Sequence, residues 1–166
     1  APERKQQLNQ NLMMFFTGFT RMSAEIQKAN HGGQKQSGAR LERMHHMVDV
    51  AEKILVSKEK DLDDFGRLLG ETWKLKRETG KAVSNGFIDE LYQKGMDAGA
   101  LGGKLLGAGG GGFLLFYVQP EHQEEVRRAM SGYMYIPFAF ENGGTRVIHY
   151  SPETYELPEK EKGAFR

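Results

Sequence analysis

Apolar residues fall into two rhythms along this chain. Leu12 to Phe16 reads L-M-M-F-F, five apolar residues in a row ended by Gly18, and predicts a short buried strand. Phe113 to Val118 is a second continuous apolar run, rich in Phe and Tyr, and predicts another. Lys104 to Leu106 reads as the end of an earlier strand. Tyr133 to Phe140 and Thr145 to Tyr150 are two more β-rich runs, and Asn142-Gly143-Gly144 between them predicts a hairpin turn.

The other rhythm is helical. Arg21 to Asn30 carries Met22 and Ile26 four apart and stops at His31-Gly32-Gly33. From Ser37 to Ser57, Leu41, Met44, Val48, Ala51 and Leu55 recur at three and four and predict one buried face. Asp61 to Glu78 opens on acidic residues, which suit a helix N-terminus, and carries Leu62, Phe65, Leu69 and Trp73 as its apolar side. Ser84 or Asn85 can cap a further helix with Phe87, Ile88, Leu91 and Tyr92 buried and Gly99 as its stop. Pro120 opens a last helix that Gly132 ends. With the extra helices set aside, the order is β-α-β-β-α-β. The predicted fold class is therefore α+β, a ferredoxin-like antiparallel sheet with additional helices.

Between the second and third predicted strands lie five glycines in six positions, Gly107 and Gly109 to Gly112, broken only by Ala108. So many glycines are costly in backbone entropy, so the run needs a reason. One reading is a phosphate cradle made of inward-turned amides. The other is a wide hairpin turn or a close approach of two backbones. Gly107, Gly109 and Gly112 match G-x-G-x-x-G, but a strand follows where the dinucleotide fingerprint needs a helix. A protein-kinase loop is excluded too, because neither H-R-D nor D-F-G occurs. Lys74, Lys76, Arg77 and Lys81 cluster at the end of one predicted helix. They fit either a solvated C-terminus or an anion site for a phosphorylated substrate.

Composition narrows the rest. The chain has 166 residues, enough for one domain with a core; 39% are hydrophobic and 27% charged. Lys plus Arg is 23 and Asp plus Glu 22, so no general field draws it to nucleic acid or membrane. No apolar run approaches a membrane span. There is no cysteine, and neither a Ser-His-Asp motif nor a metal-ligand cluster stands out. His45 and His46 are adjacent, hence on different helix faces, and make no metal pair.

G-A-L-G-G-K-L-L-G-A-G-G-G-G-F, Gly99 to Phe113, closely resembles the third signature motif of the GHMP kinases. F-F-T-G-F-T-R (Phe15 to Arg21), W-K-L-K-R-E-T (Trp73 to Thr79) and S-N-G-F-I-D-E-L-Y (Ser84 to Tyr92) are similar to stretches of one branch, the bacterial D-glycero-D-manno-heptose 7-phosphate kinases. The resemblance runs from about Leu12 to Tyr150. It implies a two-domain enzyme of which this chain is the C-terminal part: residues 1–10 a remnant of the interdomain linker, 11–151 the domain, and 152–166 a flexible tail. No P-x-x-x-G-L-G-S-S type phosphate loop is present. The resemblance therefore places the catalytic residues and magnesium ligands in a missing N-terminal kinase domain, and implies that these residues alone do not phosphorylate anything.

It further implies ATP and Mg as cofactors of the whole enzyme. The substrate would be a sugar phosphate taking phosphate on its anomeric hydroxyl, in a cytoplasmic route to surface-polysaccharide nucleotide sugars. Lys104, Gly107, Ala108, Gly109, Gly110, Gly111 and Gly112 would lie by the triphosphate. Thr17, Gly18 and Arg21 would lie toward the sugar, and Lys76 and Arg77 toward its phosphate. Neither nucleic acid nor membrane is implied as a partner, whereas a homodimer is possible if the face meant for the missing domain is apolar. Two other classes stand beside the kinase reading: a small-metabolite-binding or oligomerising module, and an RNA-binding module. Against the last, Phe113 and Phe116 fall on opposite faces of a strand and cannot stack neighbouring bases.

Overall fold

Four runs meet in one antiparallel sheet: β1 (Leu12–Phe16), β2 (Gly102–Leu105), β3 (Phe113–Tyr117) and β4 (Met134–Tyr135), in spatial order β2-β3-β1-β4. The computed structural model describes residues 2–18, 38–80, 83–107, 109–147 and 149. Among these are five α-helices: α1 (Pro2–Asn11), α2 (Gly38–Val56), α3 (Asp63–Arg77), α4 (Gly86–Asp97) and α5 (Gln123–Ala129), the last entered through a 3-10 turn at Pro120–His122. The architecture is α+β. The expected helix from Arg21 to Asn30 and the expected tail from 152 to 166 lie outside the described residues.

The sheet has two faces because successive strand residues alternate. One face, with Met13, Phe15, Leu114 and Phe116, packs with Ile88 and Leu91 of α4 and Val126 of α5 as the main core. The other buries Leu12 and Tyr117 with Leu8 of α1 and Leu62 just before α3. Tyr117 also carries a polar tie there. Its hydroxyl donates to Asp63 Oδ1 at 3.0 Å and accepts from Asn11 Nδ2 at 2.7 Å. Burial, above all, pushes this phenol well above the usual tyrosine value.

α3 packs on the face of β2 with glycine against glycine. A Cβ on Gly102 would stand 1.9 Å from the Gly66 carbonyl oxygen of α3, and one on Gly70 3.3 Å from Gly102 Cα. Helix backbone thus lies directly on strand backbone, on the face of the sheet that carries Tyr117.

Four expectations need correction. The buried side of α2 is carried by Met47 and Ile54, while Leu41 and Val48 are 55% and 63% exposed. The stripe is rotated by about one position, because α3 meets the side bearing Met47 and Ala51. Phe87 is 40% exposed and lies edge-on to Tyr133, outside the α4 core. Phe113 is exposed at the start of β3, whereas Leu114, Phe116, Tyr117 and Val118 are fully buried. Finally, no hairpin joins Tyr133–Phe140 to Thr145–Tyr150 among the described residues; pairing stops at Tyr135. Pro137 has no N–H to give a ladder. The side chain of Asn9 takes the place of a strand, donating to Phe138 O and accepting from Phe140 N.

Candidate functional site

β2 and β3 are joined by the glycine loop, and Leu106 N donates to Phe113 O across its base. The loop is thus a wide hairpin turn, as one of the two sequence readings held. It is also held in an unusual shape. Gly107, Gly109, Gly110 and Gly112 all have positive φ. At Gly109 a Cβ would lie 2.7 Å from Val83 O, so this position excludes any side chain on two grounds. Gly109, Gly110 and Gly111 are buried.

Two alternate amides of the loop are spent on holding it. Gly110 N donates to Val83 O at 3.0 Å, and Gly112 N donates to Thr17 Oγ1 at 3.0 Å. Thr17 N returns a bond to Gly112 O at 2.8 Å, and Asn85 Nδ2 donates to Gly110 O. Asn85 is at the same time the N-cap of α4, accepting from Ile88 N. The intervening amides, of Gly109 and Gly111, have no partner among the described residues.

Charge is gathered at the same place. Lys76, near the C-terminus of α3, donates to Gly107 O at 2.7 Å. Its ammonium is held below the usual lysine value, first by burial and then by the neighbouring ammonium of Lys104. Among the described residues no carboxylate pairs with either lysine. Two cations without a carboxylate partner among the described residues thus stand by a loop with two amides that are unpartnered among the same residues.

Lys104→Met is therefore expected to move the Lys76 pKa upward, and so is added inorganic phosphate; side-chain NMR of the lysine ε-carbons reads both. The folded value lies below the unfolded one, so the folded chain binds fewer protons in that interval. Stability then rises with pH between the two values, and Lys104→Met shrinks that rise.

The structure brings Thr17, Lys76, Lys104 and the loop together. Gly18, exposed with φ +90, follows Thr17 at the rim. Arg77 points elsewhere. Its guanidinium pairs with Asp89 Oδ1 at 3.0 Å, which Ser84 also bonds, and it lies over the rings of Trp73 and Tyr92. Arg21, Ala108 and Lys81 lie outside the described residues. Val83 was not singled out by sequence, and no side-chain pattern announces a main-chain carbonyl that anchors a loop.

A family model described as GHMP kinases C terminal matches residues 51–136. The D-glycero-alpha-D-manno-heptose 7-phosphate kinase of Campylobacter jejuni is 30% identical over 146 residues, 84% of this chain and 42% of the relative. The mevalonate kinase of Pyrococcus horikoshii is 39% identical over 93 residues, 54% of this chain and 27% of the relative. In fold, the crystal structure of Methanococcus jannaschii mevalonate kinase superposes with a TM-score of 0.65 at 23% identity, covering 81% of this chain and 40% of that one. The chain thus spans less than half the length of each of these proteins.

Proposed function

Because the chain belongs to the GHMP kinases as a C-terminal domain of that family, we propose that its glycine loop forms one wall of the phosphoryl-transfer cleft of an ATP-dependent sugar kinase. The observation that carries this reading is the loop itself: amides at Gly109 and Gly111 without a partner among the described residues, beside Lys76 and Lys104. Phosphoryl transfer is mostly positioning and charge stabilisation, and fixed donors next to fixed cations supply both.

In this reading a preceding domain brings the nucleotide and the catalytic groups across the cleft. The antiparallel order β2-β3-β1-β4 is compatible with a split β-α-β-β-α-β arrangement, and in this reading the β2–β3 turn faces that domain. ATP supplies the phosphoryl group. The chain's own residues bind and orient: Thr17 and Val83 fix the loop, its free amides meet phosphate oxygens, and Lys76 and Lys104 neutralise charge. Arg77, already matched by Asp89, braces the corner between α3 and α4. Among the described residues no group of His, Asp or Glu could hold a metal ion.

The substrate we favour is a heptose 7-phosphate, phosphorylated at its anomeric hydroxyl in the cytoplasm for surface-polysaccharide synthesis. The Campylobacter relative, which aligns over 84% of the chain, supports that choice over mevalonate. The test is an assay of the full-length gene product carrying these residues, with ATP, magnesium and heptose 7-phosphate, mannose 6-phosphate, fucose or mevalonate. Turnover of heptose 7-phosphate to the 1,7-bisphosphate is expected. Turnover of mevalonate alone would exclude a sugar substrate, and no transfer to any of the four would exclude the kinase.

A further inference from the structure

Beside the glycine loop the sheet leaves part of one face open, and what stands there is aromatic. Phe113, Phe16 and Met134 are direct cross-strand partners on β3, β1 and β4, so they share a face and form one row across the sheet. Phe113 is 37% exposed and Met134 66%, and Phe16 is half-buried between them. The rings of Phe16 and Phe113 lie 5.3 Å apart at 47°, a tilted pair. Apolar side chains at the start of a central strand are ordinarily covered, and the residues on the opposite face of the same strands, Phe15 and Leu114, are 1% and 0% exposed.

Lys104 belongs to the same face. It stands opposite Leu115 on β3, and Leu115 is two residues from Phe113, so the lysine is diagonal to the aromatic pair. Its side chain lines a groove with Leu68, Leu69 and Thr72 of α3, and Lys76 follows one turn later on that helix. Cation, loop and rings therefore border one surface: at one side positive charge and amides unpartnered among the described residues, at the other an apolar patch of two tilted rings. A phosphoryl group suits the first side, and a ring with an apolar C–H face suits the second.

We propose that Phe16 and Phe113 form a stacking platform for the C–H face of the sugar substrate, whose anomeric hydroxyl is directed toward the phosphoryl group that Lys104 and Lys76 neutralise. The platform rests on the kinase reading above and adds to it the residues that select the sugar. Aromatic rings attract polarised C–H groups to their negative faces, and they bind a ring in a set orientation without using up its hydroxyls. Phe16 directly precedes Thr17, which fixes the loop, so the pose of the sugar and the pose of the phosphate wall are set by consecutive residues. Phe16 and Phe113 are positioning and specificity residues here, with no part in bond making.

The test is steady-state kinetics of the full-length gene product, with heptose 7-phosphate and ATP varied separately. Phe16→Ala and Phe113→Ala are each expected to raise KM for the sugar phosphate about tenfold while KM for ATP stays unchanged. Phe113→Tyr keeps a ring face and should retain most of the parental KM. If an alanine variant fails to fold, Phe16→Leu and Phe113→Leu keep the apolar bulk, remove the ring, and should show the same rise. An unchanged sugar-phosphate KM in folded, active variants overturns the platform and leaves the kinase reading standing. A parental enzyme that phosphorylates no sugar overturns both.

Discussion

Gly102→Ala is expected to destabilise this domain by about 3 kcal/mol, the largest stability effect of any single methyl group added to the described structure. The added Cβ would lie 1.9 Å from Gly66 O, 2.9 Å from Gly70 N and 3.0 Å from Gly66 C. All three are backbone atoms in the middle of α3, so no side chain can rotate away. Either α3 lifts from β2 or β2 slides in its ladder with β3. Lifting α3 would also loosen Tyr117, whose ring packs on Gly66 and whose hydroxyl is tied to Asp63 at the start of the same helix.

Neighbouring glycines make the measurement discriminating. Gly66→Ala would place its Cβ 2.5 Å from the Tyr117 ring, and that ring is fully buried and hydrogen-bonded, so a clear loss is expected there as well. At Gly70 the nearest atom is Gly102 Cα at 3.3 Å. A shift of a few tenths of an ångström relieves that contact, and alanine gains up to about 1 kcal/mol in helix propensity over glycine. Gly70→Ala should therefore be near neutral. Urea titration of the three variants checks the order. Equal losses at all three sites would mean that α3 and β2 are not in backbone contact.

How much of this was legible beforehand follows from what kind of force fixes each part. β1 and β3 were readable because a run of five apolar residues between breakers has few alternatives in a chain of this composition. The cap of α4 was readable because Asn85 supplies an oxygen to an amide three residues on, a local bond. The buried side of α2 was not. Leu41, Met44, Val48, Ala51 and Leu55 make as good a stripe as Met44, Met47, Ala51 and Ile54, and only the position of α3 decides between them. The hairpin after Tyr133 failed for a readable reason: Pro137 was in plain view inside a run taken as strand. The end of that run is held by Asn9, from more than a hundred residues earlier, and no local pattern reports such a bond.

At the site, the glycines announced a special loop and the lysines announced charge. What joins them is tertiary. Gly107 O meets Lys76 through the packing of α3 on β2, and that packing depends on Gly66, Gly70 and Gly102, which read in sequence as mere spacers. The open face of the sheet was half-legible. Alternation along β3 puts Phe113 opposite in sense to Leu114 and Phe116, but whether a helix covers it cannot be told from one strand.

On the proposed kinase reading, Gly109→Ala is expected to lower kcat/KM of the full-length gene product by about a hundredfold or more, because a loop displaced by about 1 Å no longer holds its donors on the phosphate. Two effects combine at this residue. Its φ of +118 is one that alanine adopts only under strain, which costs on the order of 1–3 kcal/mol. Its Cβ would also meet Val83 O at 2.7 Å and Val83 Cα at 2.8 Å. Val83 O is the acceptor that holds Gly110 N, so relief of the clash breaks the anchor that sets the alternation of bound and unpartnered amides. Asn85 lies two residues on and binds Gly110 O, so the start of α4 would feel the same displacement.

Gly107→Ala is the control. Its φ of +85 is also strained for alanine, but among the described residues nothing lies within 4 Å of the added Cβ. It should cost stability of similar sign and smaller size while sparing most of the activity. If both variants lose activity in proportion to their melting temperatures, the loop acts only as a hinge between two strands. If Gly109→Ala loses far more activity than its melting temperature explains, and also loses affinity for inorganic phosphate, then the main-chain geometry at this turn is itself the binding element. The amides of Gly109 and Gly111 are then held ready before any ligand arrives, and the binding energy need not be spent on ordering them.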